Sequence, residues 1–282
     1  MAKYILSSFA DEYSDNLIEQ CEGMKSLGIE YIEIRHANGK AINEMSYDDL
    51  KENKKVMDYY GIKTNSVGSP LGKIIIDDDF EKHLDLTKKM CEFACILDTK
   101  YIRMFSFYPR EGKSIDEDRD EVLYRLDKML DIADEYNVQM CHENESNIYG
   151  ETAENCLDIL DYFKGRLKCT FDMGNFVFEN HDAYAAYLLL KDRIEYFHIK
   201  DALDNRVFVP SGYGNTRMED ILGDYIKTAS HDTFLTVEPH LFAFEGLNSL
   251  AHEKFNTSLS FKDNKESFTY AKEALDKILE RI

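Results

Sequence analysis

The chain is short of the residues that divide or staple a fold, and short of positive charge. Only four prolines occur in 282 residues, and no Gly/Ser-rich or Pro-rich tract interrupts them. One continuous domain over residues 1–282 is therefore expected, not two joined by a linker. The six cysteines, Cys21, Cys91, Cys95, Cys141, Cys156 and Cys169, include no CxxC pair, so Cys-rich zinc coordination is not indicated and reduced thiols are expected. Cys91 and Cys95, four apart on a helical pattern, read as buried core thiols. Lys and Arg total 34 against 54 Asp and Glu, a formal charge of -20 that repels nucleic-acid phosphates and anionic membranes. No basic, apolar, then small-residue leader follows Met1, and no apolar run approaches the roughly 18 residues of a membrane span. The expectation is a cytoplasmic protein whose partner is a small molecule, with association into a homo-oligomer left open.

What the sequence does contain is a recurring unit: a short apolar or β-branched run, a loop, then an amphipathic helical pattern. Strand candidates fall at 4–9, 29–35, 61–67, 100–106, 137–143, 166–172, 194–200 and 233–238. Helical patterns fill 15–27, 46–60, 80–97, 115–136, 152–163, 181–192, 217–228 and 265–281. Ser46 with Asp49, and Ser114 with Glu117, carry the capping-box spacing of a helix start. Strict strand–helix alternation demands parallel strands, because a helical crossover returns the chain to the same end of the sheet. Eight such units predict a closed (β/α)8 TIM barrel. An open doubly wound sheet would favour a Gly-rich turn after its first strand, where this chain has Ala10-Asp11-Glu12-Tyr13-Ser14; GxxxxGK[ST] is absent throughout.

In such a barrel the active site lies beyond the strand C-termini. The last inward positions of the later strands are Glu143, Asp172, His198 and Glu238. In 139–143 alternation puts Gln139, Cys141 and Glu143 on one face and turns His142 towards the helices. The carboxylates close largely apolar strands, where an uncompensated charge is costly and a divalent cation relieves that cost. Three carboxylates and one imidazole suit Mn2+ or Mg2+, with Zn2+ or Co2+ as plausible substitutes. The alternative is that these are ordinary polar strand ends solvated at the barrel mouth.

The segments SPLGK (69–73), YIRMFSFY (101–108), CHENESNIYGET (141–152), FDMGNF (171–176), FHIKDA (197–202), VPSGYG (209–214) and TVEPH (236–240) resemble, in content and order, the xylose isomerase-like (β/α)8 barrels. That family includes sugar phosphate isomerases and epimerases, ketose 3-epimerases and inosose dehydratases. The resemblance implies that Glu143, Asp172, His198 and Glu238 ligate a metal, and that Glu143 and Glu238 face a sugar or sugar phosphate from opposite sides as a proton-transfer pair. Proton removal beside a carbonyl would give an enediolate, leading to epimerisation or aldose–ketose isomerisation. Loss of a β-hydroxyl would instead make the chain a sugar or inosose dehydratase, and a non-catalytic sugar binder on the same barrel is the third alternative.

Departures from the ketose 3-epimerase pattern place Asn175 where those enzymes have a substrate-binding histidine, Tyr149 for a second glutamate and Asp204 for an arginine. Candidate substrate contacts are Lys200, Asn175, Tyr149, Tyr213 and Lys73. Asp201 is expected to orient the His198 imidazole, Glu33 and Arg35 to pair with each other at the mouth, and Glu145 to be a rim carboxylate. Phe105, Phe107 and Tyr108 are candidates to cover a sugar's apolar face, with core packing expected of at least one.

Overall fold

The structure, a computed structural model, describes residues 2–242 and 259–282. Eight strands, β1 (Tyr4–Ser8), β2 (Tyr31–Ile34), β3 (Lys63–Gly68), β4 (Tyr101–Met104), β5 (Gln139–Glu143), β6 (Leu167–Asp172), β7 (Ile194–Ile199) and β8 (Thr233–Val237), form one sheet. Its order is β1-β8-β7-β6-β5-β4-β3-β2, every recorded pairing is parallel, and β1 and β2 at its two ends lie against each other. The result is a nearly closed (β/α)8 barrel.

The helices outside it are α1 (Leu17–Ser26), α2 (Tyr47–Tyr60), α3 (Phe80–Ile96), α4 (Arg119–Tyr136), α5 (Ala153–Phe163), α6 (Met173–Phe178), α7 (Ala183–Leu190), α8 (Met218–Thr228) and α9 (Asn264–Leu279). Both expected capping boxes form, at Ser46/Asp49 ahead of α2 and at Ser114/Glu117 ahead of the 3-10 turn that leads into α4. Three elements have no counterpart in the sequence reading: the six-residue α6 and two short hairpins, His36–Ala41 and Asp201–Val209. All follow strand C-termini, where loop geometry overrides periodicity. Cys91 is buried as expected, whereas Cys95 is exposed. No helix among the described residues is long and apolar enough to cross a membrane.

Strand alternation divides the core into two layers. On β6, Phe171 points outward and meets Phe176, Tyr187 and Phe197 at ring-centroid distances of 5.3, 6.4 and 5.9 Å, leaving Thr170 and Asp172 to face the barrel axis. His142 likewise faces the helices, with Nε2 2.9 Å from Ser106 Oγ.

Another buried histidine tunes stability. His83 on α3 accepts the Gly72 N–H at Nε2 (2.8 Å), and burial followed by the nearby Arg125 charge lowers its pKa to about 4. Between its ordinary value near 6.5 and about 4, the unfolded chain binds a proton that the folded chain refuses. His83 therefore contributes stability that is complete above about pH 6.5 and is lost as the pH falls towards 4, roughly 3 kcal/mol in all. Thermal unfolding followed from pH 7 to 4 should show a shallower decline for His83→Gln than for the parent; equal slopes would remove His83 from the account.

Candidate metal centre

Glu143 and Asp172 end β5 and β6, His198 is the last residue but one of β7, and Glu238 directly follows β8. The barrel brings these four buried residues together, with one ligand atom from each lying within 4.8 Å of all the others. His198 Nδ1 is the focus, 3.1 Å from Glu143 Oε1, 3.2 Å from Glu238 Oε2 and 3.9 Å from Asp172 Oδ2. Lys200 reaches in from the end of β7, its Nζ 2.9 Å from Asp172 Oδ2 and 3.3 Å from Glu238 Oε2.

Burial opposes every charge here, and the neighbours decide which survive. For Glu143 burial is outweighed by the His198 imidazole and the Arg103 guanidinium, which hold its carboxyl down to about 2. Lys200, His198 and His240 overcome burial in the same way and keep Glu238 well below the usual carboxylate range. Asp172 goes the other way: burial, together with Glu238 and Glu143, outweighs Lys200 and lifts it to about 7. At His198 burial is overcome by Glu143 and Glu33, so its pKa rises well above the ordinary histidine value. The cluster thus demands positive charge at its centre.

Two buried atoms that face this centre, His198 Nδ1 and Asp172 Oδ2, lack an aligned hydrogen bond despite their close ionic neighbours. With Nε2–H donating to Glu33, Nδ1 is the nitrogen turned towards the carboxylates, where a cation would take the place of its proton. Three carboxylates and an imidazole nitrogen, with uncommitted atoms at their centre, fit a divalent cation.

An outer ring fixes these groups. His198 Nε2 meets Glu33 Oε2 at 3.1 Å, and Tyr196, one layer further down the barrel, donates to Glu33 Oε1 at 3.2 Å. Arg35 gives Nη1 to Glu238 Oε1 (2.8 Å) and Nε to Asp11 (3.0 Å), while Arg103 Nε lies 3.2 Å from Glu143 Oε2. Asn144 grips the Asp172 backbone twice, donating to its C=O at 2.9 Å and accepting its N–H at 3.0 Å. Asn175 Nδ2 lies 3.3 Å from Glu143 Oε1, and its N–H donates to Asp172 Oδ1 at 2.8 Å.

Glu33 is therefore expected to set the imidazole's tautomer and angle. Titration of the metal-free protein with Mn2+ should show Glu33→Gln binding about 10- to 100-fold more weakly than the parent. Equal affinity would mean that the contact orients nothing.

A family model described as the xylose isomerase-like TIM barrel matches residues 21–240. The chain belongs to that family. Solved structures with the same fold as this xylose isomerase-like barrel include D-allulose 3-epimerase from Methylomonas sp. in complex with D-allulose (15% identity, TM-score 0.75, covering 100% of this chain and 98% of the other). The IOLI protein with a bound zinc atom is similar at 19% identity and TM-score 0.73, over 99% of this chain and 98% of that one. The probable 3-DHS dehydratase AsbF from Bacillus anthracis is similar at 15% identity and TM-score 0.72, over 98% and 99% of the two chains. No curated protein matches the sequence significantly. Proteins that share this fold thus include an epimerase and a probable dehydratase, and the buried acidic and histidine cluster of this chain could hold a divalent metal.

Other predicted contacts of the xylose isomerase-like site lie elsewhere. Tyr149 is buried with its hydroxyl on Asp158 Oδ2 (2.8 Å) of α5, because the short turn 149–151 carries it over the helix layer. Tyr213 is exposed and meets the Tyr270 hydroxyl at 3.1 Å on α9. Asp201 does not orient His198, a position that Glu33 takes; the chain turns into the hairpin there and aims the carboxylate at residues 212–216. Glu33 and Arg35 do not pair with each other either, each being drawn to a partner on a different strand. Lys73 does stand near the mouth, over the Phe105 ring at 4.2 Å and paired with Glu145 at 2.8 Å. Phe107 packs in the core.

Proposed function

We propose that this protein is a divalent-metal-dependent sugar isomerase or epimerase that works through an enediolate. The observation that carries this reading is the convergence of Glu143 and Glu238, from strands three places apart in the barrel, on one imidazole nitrogen. Each is backed by its own buried arginine. Glu143, Asp172, His198 and Glu238 would hold the cation, with Mn2+ or Mg2+ favoured by the oxygen-rich set and Zn2+ or Co2+ compatible with it. When bound, a divalent ion supplies the charge that polarises a substrate carbonyl and stabilises the enediolate.

The remaining steps belong to the chain. One glutamate removes the proton from the carbon beside the carbonyl, and the other delivers a proton to the opposite face, which inverts that carbon. Return to the neighbouring carbon gives aldose–ketose isomerisation. Arg103 and Asn175 fix Glu143, and Arg35 fixes Glu238, so neither carboxylate swings during transfer. Lys200, already inside the cluster, is placed to donate to a substrate oxygen. Elimination of a β-hydroxyl from the same enediolate is the alternative outcome, in keeping with the likeness to a probable dehydratase.

Incubation of the Mn2+-loaded protein with a panel of ketoses and aldoses in D2O tests the shared first step. Deuterium should enter at the carbon next to the carbonyl, and a chelator should stop it. A metal-loaded protein that exchanges nothing across the panel would be a sugar binder and not this enzyme.

A further inference from the structure

We infer that the substrate is uncharged, a polyhydroxy carbonyl compound that carries neither phosphate nor carboxylate. The inference rests on the sugar-isomerase reading above and goes further by naming the substrate class. Two independent features of the barrel mouth support it.

The first is an anion nest that the protein fills by itself. Barrels of this kind frequently hold a phosphate on backbone amides of the loops after the seventh and eighth strands. The glycine-bearing loop after β7 has such amides, but Asp201 has taken them. Gly212 N–H and Gly214 N–H donate to Asp201 Oδ2 at 2.8 and 3.0 Å. Thr216 N–H and its hydroxyl donate to Oδ1 at 3.3 and 2.8 Å. Asp201 is buried, and a Cβ added at Gly214 would lie 2.2 Å from its Oδ1, so the loop is shaped around this carboxylate. A substrate phosphate would have to displace a buried internal anion from five ready-made donors, the fifth being the Ala202 N–H at 3.0 Å.

The second feature is the commitment of the nearby Lys and Arg side chains among the described residues. Asp11, Glu12, Glu33, Glu143, Glu145, Asp172 and Glu238 line the cluster and its rim. Among the described residues, the Lys and Arg side chains within ion-pairing distance of them are Arg35, Arg103, Lys200 and Lys73. Arg35 serves three carboxylates, Arg103 lies against Glu143 and Glu33, Lys200 joins Asp172 and Glu238, and Lys73 is held by Glu145. A dianionic phosphate would have to compete with these carboxylates for the four Lys and Arg side chains already paired to them, and contact between phosphate and carboxylate is costly. Hydroxyls and a carbonyl need donors and acceptors instead, which Lys200, Asn175 and the carboxylates offer.

The deciding experiment compares each neutral ketose with its own phosphate ester. Deuterium wash-in by the Mn2+-loaded protein should proceed with kcat/KM at least about tenfold higher for the neutral sugars. Equal or faster exchange with the esters would overturn the inference and leave the isomerase reading standing. If neither class exchanges, the isomerase reading falls, and calorimetric titration still decides the substrate class. Binding of a neutral ketose but not of its ester supports the inference; binding of the ester alone, of both equally, or of neither refutes it.

Discussion

Glu143→Gln and Glu238→Gln are each expected to lower turnover by about a thousandfold or more, since a positioned general base contributes roughly 10^2- to 10^4-fold and each residue would, on the proposed reading, also hold the cation. Glutamine keeps the length and the donor oxygen but cannot accept the proton. Both carboxyls are held below the usual carboxylate range against burial and are oriented before any substrate arrives, Glu143 by His198 and Arg103, Glu238 by Lys200 and Arg35. Removing either breaks a relay that needs two faces. The two variants should differ in a way that a merely structural role cannot reproduce. With one base gone, the survivor still removes a proton from the epimer that presents its C–H to it. Each variant should therefore retain deuterium wash-in with one epimer of a substrate pair and lose it with the other, and the two should be complementary. Metal content, measured on the same samples, separates loss of the base from loss of the ion. If both variants turn over within about tenfold of the parent while loaded with metal, the assignment of the pair is wrong.

The contrast between what the sequence reveals and what it hides follows from the same geometry. Glu143, Asp172, His198 and Glu238 are legible because parallel strands joined by helices gather their C-terminal residues at one mouth, and alternation says which of them face inward. His142 is legible for the same reason, as the residue that faces the helices. What stays hidden is how side chains pair across strands. Glu33 on β2 and Arg35 just after it both turn inward as expected, but their partners, His198 and Glu238, lie 165 and 203 residues away. Nothing local announces a contact of that range. Asn144 is hidden differently: it stands beside a ligand in sequence, yet its work is to hold the Asp172 backbone on the next strand. Asp201 misleads because it stands three residues after His198 in the sequence, whereas the chain leaves the barrel after Ile199 and starts a hairpin. The single residue Lys200 between strand and hairpin is enough to move a carboxylate from one site to another.

Arg35→Met should destabilise the folded protein by about 3–5 kcal/mol, the range for removing one partner of a buried ion pair. The guanidinium is buried, lies 4.0 Å above the Phe9 ring, and is bonded to Asp11, Glu12 and Glu238. These residues come from the ends of β1 and β8, and Arg35 itself follows β2. Arg35 therefore ties together the three strands that meet where the ends of the sheet adjoin. Methionine approximates its stem but strands three carboxylates in a buried setting, and burial is already the largest influence raising Asp11 and lifting Glu12 to about 8. Since a domain's whole stability is roughly 5–15 kcal/mol, the loss is a large fraction of it. Urea unfolding should show a much lower midpoint. Arg119→Met offers the control: its pair with Asp158 is as short, at 2.7 Å, but the side chain is 40% exposed, and a loss within about 1 kcal/mol is expected. Lysine at 35 should recover only part of the deficit, because one ammonium cannot reproduce a planar fork aimed at several carboxylates. Adding Asp11→Asn to Arg35→Met should recover stability by removing one stranded charge. If Arg35→Met unfolds at the same urea concentration as Arg119→Met, the guanidinium is not what holds this junction together.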